Sequence, residues 1–149
     1  MSRPCVILDA SAIIALERVN LLGILKSLPA DFLTTPAVMA EIMDPRYRRS
    51  AADDSHSALS VISIHAPSTL PRLSRKLGNG EGEVIALALE KGGVPVIDDL
   101  KARSEAVEHG LTPARTIDLL EAAESLREIS SVAEILVKLK AAGVHLPPR

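Results

Sequence analysis

Short apolar runs alternate with helical patterns along this chain, and the runs predict its strands. The run Cys5–Leu8 is apolar without alternation, and residues 94–97 (VPVI) form a second run of this kind. Unbroken short apolar runs are typical of strands that are covered on both faces of a parallel sheet. Residues 31–35 and 59–64 predict two further extended segments.

Polar caps and glycines place helices between and after these strands. Thr35 followed by Pro36 is a typical helix opening, because a capping hydroxyl precedes a proline at the first helical position. Ser11 is the candidate cap of the first helix, and Gly92 ends a long helix that Asn79 opens. The predicted helices cover residues 11–16, 21–28, 36–43, 79–90, 100–109, 116–126 and 131–142, with a loop or short helix at 46–57 and a basic helical segment at 67–76.

The alternation of strands and helices predicts the fold class. It indicates an α/β fold, a three-layer α/β/α sandwich with a largely parallel central sheet. A length of 149 residues fits one domain over residues 1–149, which becomes wholly helical from about residue 116. Such a chain buries roughly two thirds of its unfolded surface.

Composition narrows the classes of function. The chain is 47% apolar with one Phe, one Tyr and no Trp, which excludes nucleic-acid binding by aromatic stacking platforms. A net charge of −2 provides no general basic field for RNA or DNA. Cys5 has no second cysteine to pair with, and no apolar run approaches the ~20 residues that span a bilayer. We therefore expect a cytoplasmic protein without membrane contact.

Acidic residues at strand ends and helix starts are the candidate chemistry. Asp9 ends the first apolar run, and Asp98 and Asp99 close the last one. The carboxyl ends of parallel strands meet at one crevice, which Glu41 and Glu83 on the intervening helices can join. Clustered carboxylates repel one another and lose hydration, so they are tolerated mainly where cations neutralise them. The pattern predicts a metal-dependent site for phosphodiester cleavage.

Each carboxylate also has an ordinary structural interpretation. Asp9 can cap a helix, and Glu41 can be a solvated helix residue. Glu81 and Glu83 stand in a first helical turn, where the helix dipole favours them by ~0.3–1 kcal/mol. The adjacent aspartates after the last strand can begin a capped helix with a surface ion pair. All these explanations must hold together at one edge of the sheet, which favours the functional interpretation.

Two glycines in the same turn are less easily explained by structure alone. Gly80 and Gly82 each cost ~1 kcal/mol against Ala inside a helix. Close backbone approach or a tight turn would account for them.

Four segments together resemble the PIN domain family, the nuclease fold of many bacterial and archaeal toxins of toxin–antitoxin pairs. They are residues 6–11 (VILDAS), 36–41 (PAVMAE), 80–88 (GEGEVIALA) and 96–103 (VIDDLKAR), and the resemblance extends over nearly the whole chain. The last two segments are similar to an uncharacterised branch of the family with GE-x-E and DD-x-x-AR motifs. The chain differs from that branch at Arg115, where a glycine before Thr116 is expected.

The resemblance implies a VapC-like ribonuclease that uses Mg²⁺ or Mn²⁺. It implies catalytic roles for Asp9, Glu41, Glu83 and Asp99, supporting roles for Ser11, Glu81, Asp98 and Arg103, and metal binding by Asp9, Glu41, Glu83, Asp98 and Asp99. The sequence leaves open which of the two adjacent aspartates is the ligand. RNA is the expected substrate, with an antitoxin protein and a second copy of the chain as partners.

Basic residues supply candidate contacts to the phosphates of RNA. Lys101 and Arg103 follow the adjacent aspartates by about one helical turn. Those expected further out are Arg46, Arg48, Arg49, Arg72, Arg75 and Lys76.

Other classes of function remain as alternatives. A catalytically inactive PIN-like binding or scaffold module would use the acidic edge as a surface. A receiver domain needs an acidic pair near the first strand, whereas Asp9 stands alone there. A haloacid-dehalogenase-type phosphatase needs a second Asp two residues later, where Ser11 stands.

Overall fold

The computed structural model describes residues 3–44, 59–64 and 77–147. The expectations for residues 46–57 and 67–76 lie outside these segments. Within them the chain runs through β1 (Cys5–Leu8), α1 (Ala10–Arg18), a 3-10 helix (Leu22–Lys26), β2 (Asp31–Thr34), α2 (Pro36–Ile42), β3 (Ser60–Val61), α3 (Asn79–Lys91), β4 (Val94–Val96), α4 (Leu100–Glu108), α5 (Thr116–Ser125) and α6 (Val132–Ala141).

The four strands form one parallel sheet in the order β3-β2-β1-β4. Val6 in β1 stands opposite Phe32 in β2 on one side and opposite Val94 in β4 on the other. The predicted α/β fold with a parallel sheet is confirmed. The strand expected over residues 59–64 is shorter, because only Ser60–Val61 pairs with β2.

The strand order places a topological switch point between β1 and β4. The chain leaves β1 for β2 on one side, whereas β4 returns to pair with β1 on the other side. The carboxyl ends of two such strands border the crevice where open α/β sheets bind ligands. Asp9 follows β1 directly, and Asp98 and Asp99 stand between β4 and α4.

An aliphatic core fixes the helices around this crevice. Ile7 and Leu8 of β1 are fully buried, as are Val84, Ile85 and Leu87 of α3. Apolar residues in succession on α3 indicate a helix that is covered on several sides, and α3 packs on β1, β4, α2 and α4. The first turn of α3 is therefore held beside the carboxyl end of β1. None of the helices described has the length and apolar character needed to cross a membrane.

The predicted helix ends are largely confirmed. Thr35 Oγ1 accepts a hydrogen bond from Val38 N at 3.3 Å, so it caps α2. Ser131 Oγ accepts one from Glu134 N at 3.3 Å and caps α6. Gly92 ends α3 with a φ of +66°, a backbone conformation that glycine adopts without steric cost.

The predicted cap of the first helix is wrong. The helix begins at Ala10, and Asp9 caps it by accepting a hydrogen bond from Ala10 N at 2.8 Å. Ser11 lies inside the helix, and its hydroxyl donates to Asp98 Oδ2 at 3.1 Å. Ser11 thus links the ends of β1 and β4 and does not cap a helix.

Arg103 joins the end of β4 to the segment that leads into α5. Its Nη1 donates to the carbonyl oxygens of Ile97 and Ala114, both at 3.0 Å, and its Nη2 donates to that of Pro113 at 3.4 Å. Ala114 also forms a parallel bridge with Val96. This guanidinium fixes the start of α5 against the sheet.

We expect Arg103→Met to lower the free energy of unfolding by about 1–3 kcal/mol, because three buried or half-buried carbonyl groups lose a charged donor. Urea unfolding followed by circular dichroism measures the change. Arg127→Met, at an exposed position after α5, is the matched control. Equal stability of the two variants would show that the Arg103 bonds do not hold this junction.

Candidate active site

A cavity of about 260 Å³ opens at the switch point. Its walls come from the β1–α1 junction, from α2, from the start of α3 and from the β4–α4 junction. The residues that line it are Asp9, Ala10, Ser11, Glu41, Gly78, Gly80, Glu81 and Asp99. Four of these eight are carboxylates, and none is basic.

Asp9 is the most buried carboxylate on the cavity wall, with 6% of its surface exposed. Its Oδ1 accepts the hydrogen bond from Ala10 N, and no donor in the described segments reaches Oδ2. The pKa of Asp9 is raised to about 7, mainly by burial; the charges of Glu81, Glu41 and Asp98 contribute to the rise, whereas the Ala10 N–H opposes it. Asp9 is therefore a buried carboxylate with one oxygen left for a ligand.

Asp98 and Asp99 have different environments. Asp98 is 7% exposed and accepts three hydrogen bonds: Thr116 N to Oδ1 at 2.9 Å, and Thr116 Oγ1 and Ser11 Oγ to Oδ2 at 2.6 and 3.1 Å. Asp99 is exposed, caps α4 through Ala102 N at 3.0 Å and lines the cavity. The geometry therefore places Asp99 on the cavity wall and Asp98 behind it.

The two glutamates of α3 also point to different neighbours. Glu81 lines the cavity and accepts a hydrogen bond from Gly78 N at 3.2 Å. Glu83 Oε1 instead accepts one from Ala37 N at 3.1 Å, at the start of α2. The sequence-based prediction has Glu83 as a catalytic ligand and Glu81 as its support, whereas in the structure Glu81 lines the cavity and Glu83 faces the start of α2. Residues two apart on a helix lie on different faces, which accounts for their different neighbours.

Burial and neighbouring charge act on Glu81 as they do on Asp9. Burial raises the pKa of Glu81, and the charges of Asp99 and Glu41 raise it as well, whereas the Gly78 N–H lowers it. The charges on the cavity wall are therefore close enough to disfavour ionisation of Asp9 and Glu81.

Gly80 allows the Asp9 and Glu41 carboxylates to approach the backbone of α3. A Cβ atom at Gly80 would lie 3.0 Å from Glu41 Oε2, 3.4 Å from Val38 Cγ2 and 3.6 Å from Asp9 Oδ1. The close approach expected from the sequence at this glycine is confirmed.

The cavity wall suits a hard divalent cation in its donor chemistry. All its carboxylate donors are oxygens, which Mg²⁺ and Mn²⁺ prefer, and Asp9 Oδ2 is a buried oxygen without a donor in the described residues. In residues 3–44, 59–64 and 77–147, however, no three Asp, Glu, His or Cys side chains are close enough to hold an ion. Repulsion between like charges favours such separation when no cation lies between them.

The basic residues predicted to contact phosphate have mixed positions. Lys101 is exposed on α4, one helical position after Leu100. Arg103 gives its donors to backbone carbonyls, so the structure does not support it as a phosphate contact. The remaining predicted contacts, Arg46, Arg48, Arg49, Arg72, Arg75 and Lys76, lie outside the described residues.

A larger cavity, of about 500 Å³, lies near the amino ends of β1 and β2. Asp31 is its one carboxylate among the described residues, and an exposed ion pair of 3.7 Å joins it to Arg3. Size alone therefore does not identify the functional cavity, because the convergent carboxylates lie at the other end of the sheet.

Comparison with known proteins identifies the family of the chain. The model of the DUF3368 family, described as a PIN domain, matches residues 5–149 and confirms the PIN resemblance. No curated protein matches the chain. Among solved structures, the chain is similar to a PilT N-terminus domain protein from the hyperthermophilic archaeon Sulfolobus solfataricus P2, with 16% identity, a TM-score of 0.49, and coverage of 97% of this chain and 98% of that chain.

We expect Asp9→Asn to stabilise the metal-free protein at high pH. The folded-state pKa of Asp9, about 7, lies above its ordinary value of 3.8, so protonation of Asp9 favours folding. That contribution is complete below about pH 3.8 and is lost as the pH rises through about 7. At about pH 8 the wild type carries the full cost of a buried charge, and Asn removes it, for a gain on the order of 2 kcal/mol.

Urea midpoints in EDTA between about pH 4 and pH 8 measure this effect. Asp31→Asn, at an exposed carboxylate, is the control and should show no such trend. A stability difference for Asp9→Asn that does not grow with pH would contradict the assigned cause.

We expect Gly80→Ala to weaken binding of Mg²⁺ or Mn²⁺ without destabilising the fold. Alanine raises helix propensity by ~1 kcal/mol, whereas its Cβ displaces the Glu41 carboxylate from its position. Calorimetric titration with Mn²⁺ and thermal melting measure the two effects separately. Gly23→Ala, which meets nothing within 4 Å, is the control. Unchanged ion affinity in Gly80→Ala would exclude a role for this close approach.

Proposed function

Since the chain belongs to the DUF3368 family of PIN domains, and PIN domains are typically nucleases that use divalent metals, we propose that it is a metal-dependent endoribonuclease. The observation that carries the proposal is the convergence of four carboxylates, from Asp9, Glu41, Glu81 and Asp99, on one cavity. No Lys, Arg or His side chain of the described residues lines that cavity. A site of this charge suits Mg²⁺ or Mn²⁺ and, through the ion, the phosphate of RNA.

A divalent cation held there would supply an acidified water as nucleophile and positive charge for the leaving oxygen of the phosphodiester. Asp9, Glu81 and Asp99 would each offer it one oxygen, because a backbone N–H group fixes the other oxygen of each carboxylate. Glu41 would complete the set. Because burial and like charge raise the pKa of Asp9 and Glu81, ion binding and proton release are coupled at this site.

The remaining residues of the site orient its parts. Ser11 lines the cavity, and its bond to Asp98 fixes the direction of its hydroxyl. Hydrolysis requires a proton to leave the attacking water. Glu41 is an exposed carboxylate on the cavity wall, so it can pass such a proton to the solvent.

We further propose that the chain is the toxin of a toxin–antitoxin pair and acts in the cytoplasm as a homodimer. An antitoxin segment would inhibit it by placing a basic side chain among the carboxylates. The acidic cavity supports this setting because a Lys or Arg side chain would neutralise it in place of the ion.

A catalytically inactive binding module is the second candidate. The separation of the carboxylates in the described residues favours it, because no three of them are arranged to hold an ion. Cleavage assays distinguish the two functions.

We expect the wild type to cut a mixed RNA pool in Mn²⁺ or Mg²⁺ and to leave it intact in EDTA. Glu81→Gln should lower the cleavage rate by at least about 10–100-fold, since even outer-shell partners of a metal cost this much. Glu83→Gln is the matched control, because Gln can still accept the hydrogen bond from Ala37 N. Its rate should stay within a few-fold of the wild type.

Asp9→Asn should abolish the metal-dependent cleavage. An absence of cleavage by the wild type across several metals, together with no ion-induced shift in melting temperature, would overturn the nuclease proposal in favour of the binding module. Equal losses in Glu81→Gln and Glu83→Gln would contradict the assignment of the ligands.

A further inference from the structure

The backbone around Arg115 is fixed on both sides. Ala114, before it, forms the parallel bridge with Val96. Thr116, after it, donates both its N–H and its hydroxyl to Asp98. Arg115 N itself donates to Asp118 Oδ2 at 2.7 Å. The side chain of Arg115 therefore starts from a rigid point directly behind the cavity wall.

The guanidinium of Arg115 has no such anchor. No described residue accepts a hydrogen bond from it or forms an ion pair with it, although the residue is half-buried. Arg103 contrasts with it, because its donors are committed to carbonyl groups, one of them that of Ala114. None of the five N–H donors of the Arg115 guanidinium is bonded to a described residue.

Two positive charges adjoin each other at this place. Arg103 Nη1 lies 3.0 Å from the carbonyl oxygen of the residue just before Arg115. Burial is the main cause that lowers the pKa of Arg103, and the positive charge of Arg115 is the second. Asp98 accepts hydrogen bonds from Thr116 and Ser11, and Asp118 Oδ2 accepts one from Arg115 N. An anion bound here would relieve the repulsion between the two guanidinium groups.

The position of Arg115 relative to the cavity indicates which anion it would bind. Asp98 Oδ2 accepts hydrogen bonds from both Thr116 and Ser11, and Ser11 lines the cavity. Arg115 is therefore one residue and two hydrogen bonds away from the wall where the scissile phosphate would lie. Arginine matches phosphate oxygens with two parallel N–H donors, which a lysine cannot provide.

We propose that Arg115 binds the backbone phosphate of a nucleotide adjacent to the cleavage point and so fixes the register of RNA across the cavity. This inference rests on the proposed ribonuclease function and adds a binding residue to it. Lys101, on the exposed surface of α4, remains a separate candidate contact.

The test measures RNA binding apart from cleavage. Anisotropy of a labelled single-stranded RNA is followed in Mg²⁺, in an Asp9→Asn background, at increasing KCl. Arg115→Gln should weaken binding about 10-fold at low salt. It should also reduce the slope of log Kd against log salt by ~0.7, the value for one phosphate contact on a single strand. Arg115→Lys should restore the slope and only part of the affinity.

Arg127→Gln, at an exposed arginine at the other end of α5, is the matched control and should bind as the background does. If the background binds RNA and Arg115→Gln leaves affinity and slope unchanged, this inference fails while the ribonuclease proposal stands. If the background binds no RNA at any salt concentration, and the wild type cuts none, both fail. In the active enzyme, Arg115→Gln should raise KM more than it lowers kcat.

Discussion

Charge repulsion between carboxylates at the ends of β1 and β4 is the constraint on which the rest of this structure depends. The strand β1 pairs in parallel with β2 on one side and with β4 on the other. This brings Asp9 and the adjacent aspartates, Asp98 and Asp99, to one edge of the sheet. The helices α2 and α3 then add Glu41 and Glu81 to the same cavity. Burial of Asp9 is the main cause that raises its pKa to about 7, and the neighbouring carboxylates add to the rise. A fold that keeps this cost must offset it locally.

Helix starts provide much of the offset. Asp9 accepts an N–H from the first residue of α1, and Glu81, Asp99 and Asp98 accept them at the starts of α3, α4 and α5. Glu83 does the same for α2. Backbone N–H groups and the positive end of the helix dipole stabilise an ionised carboxylate. For Asp9, Glu81 and Asp99 the capping and ligand interpretations are thus compatible, since one carboxylate oxygen accepts the backbone N–H and the other can bind an ion.

The sequence predicts the sheet well and the detailed site less well. The residues of the runs Cys5–Leu8 and 94–97 are buried or half-buried, and the short, unbroken apolar pattern predicts both strands. The choice between Glu81 and Glu83 depends on the position of the start of α2, because Ala37 N there donates a hydrogen bond to the Glu83 carboxylate. The choice between Asp98 and Asp99 depends on Thr116, which is distant in sequence. Local patterns carry no information about either partner.

Anomalous diffraction from crystals soaked in Mn²⁺ tests whether the four carboxylates of the cavity hold an ion, since it locates the ion itself. We expect an anomalous peak between Asp9, Glu41, Glu81 and Asp99, with oxygen ligands at roughly 2.0–2.2 Å, close to the distances of comparable hard cations. Asp98 and Glu83 should keep their bonds to Thr116 and Ala37. A peak at Glu83 or at Asp98, or none at Mn²⁺ concentrations that support cleavage, would contradict it.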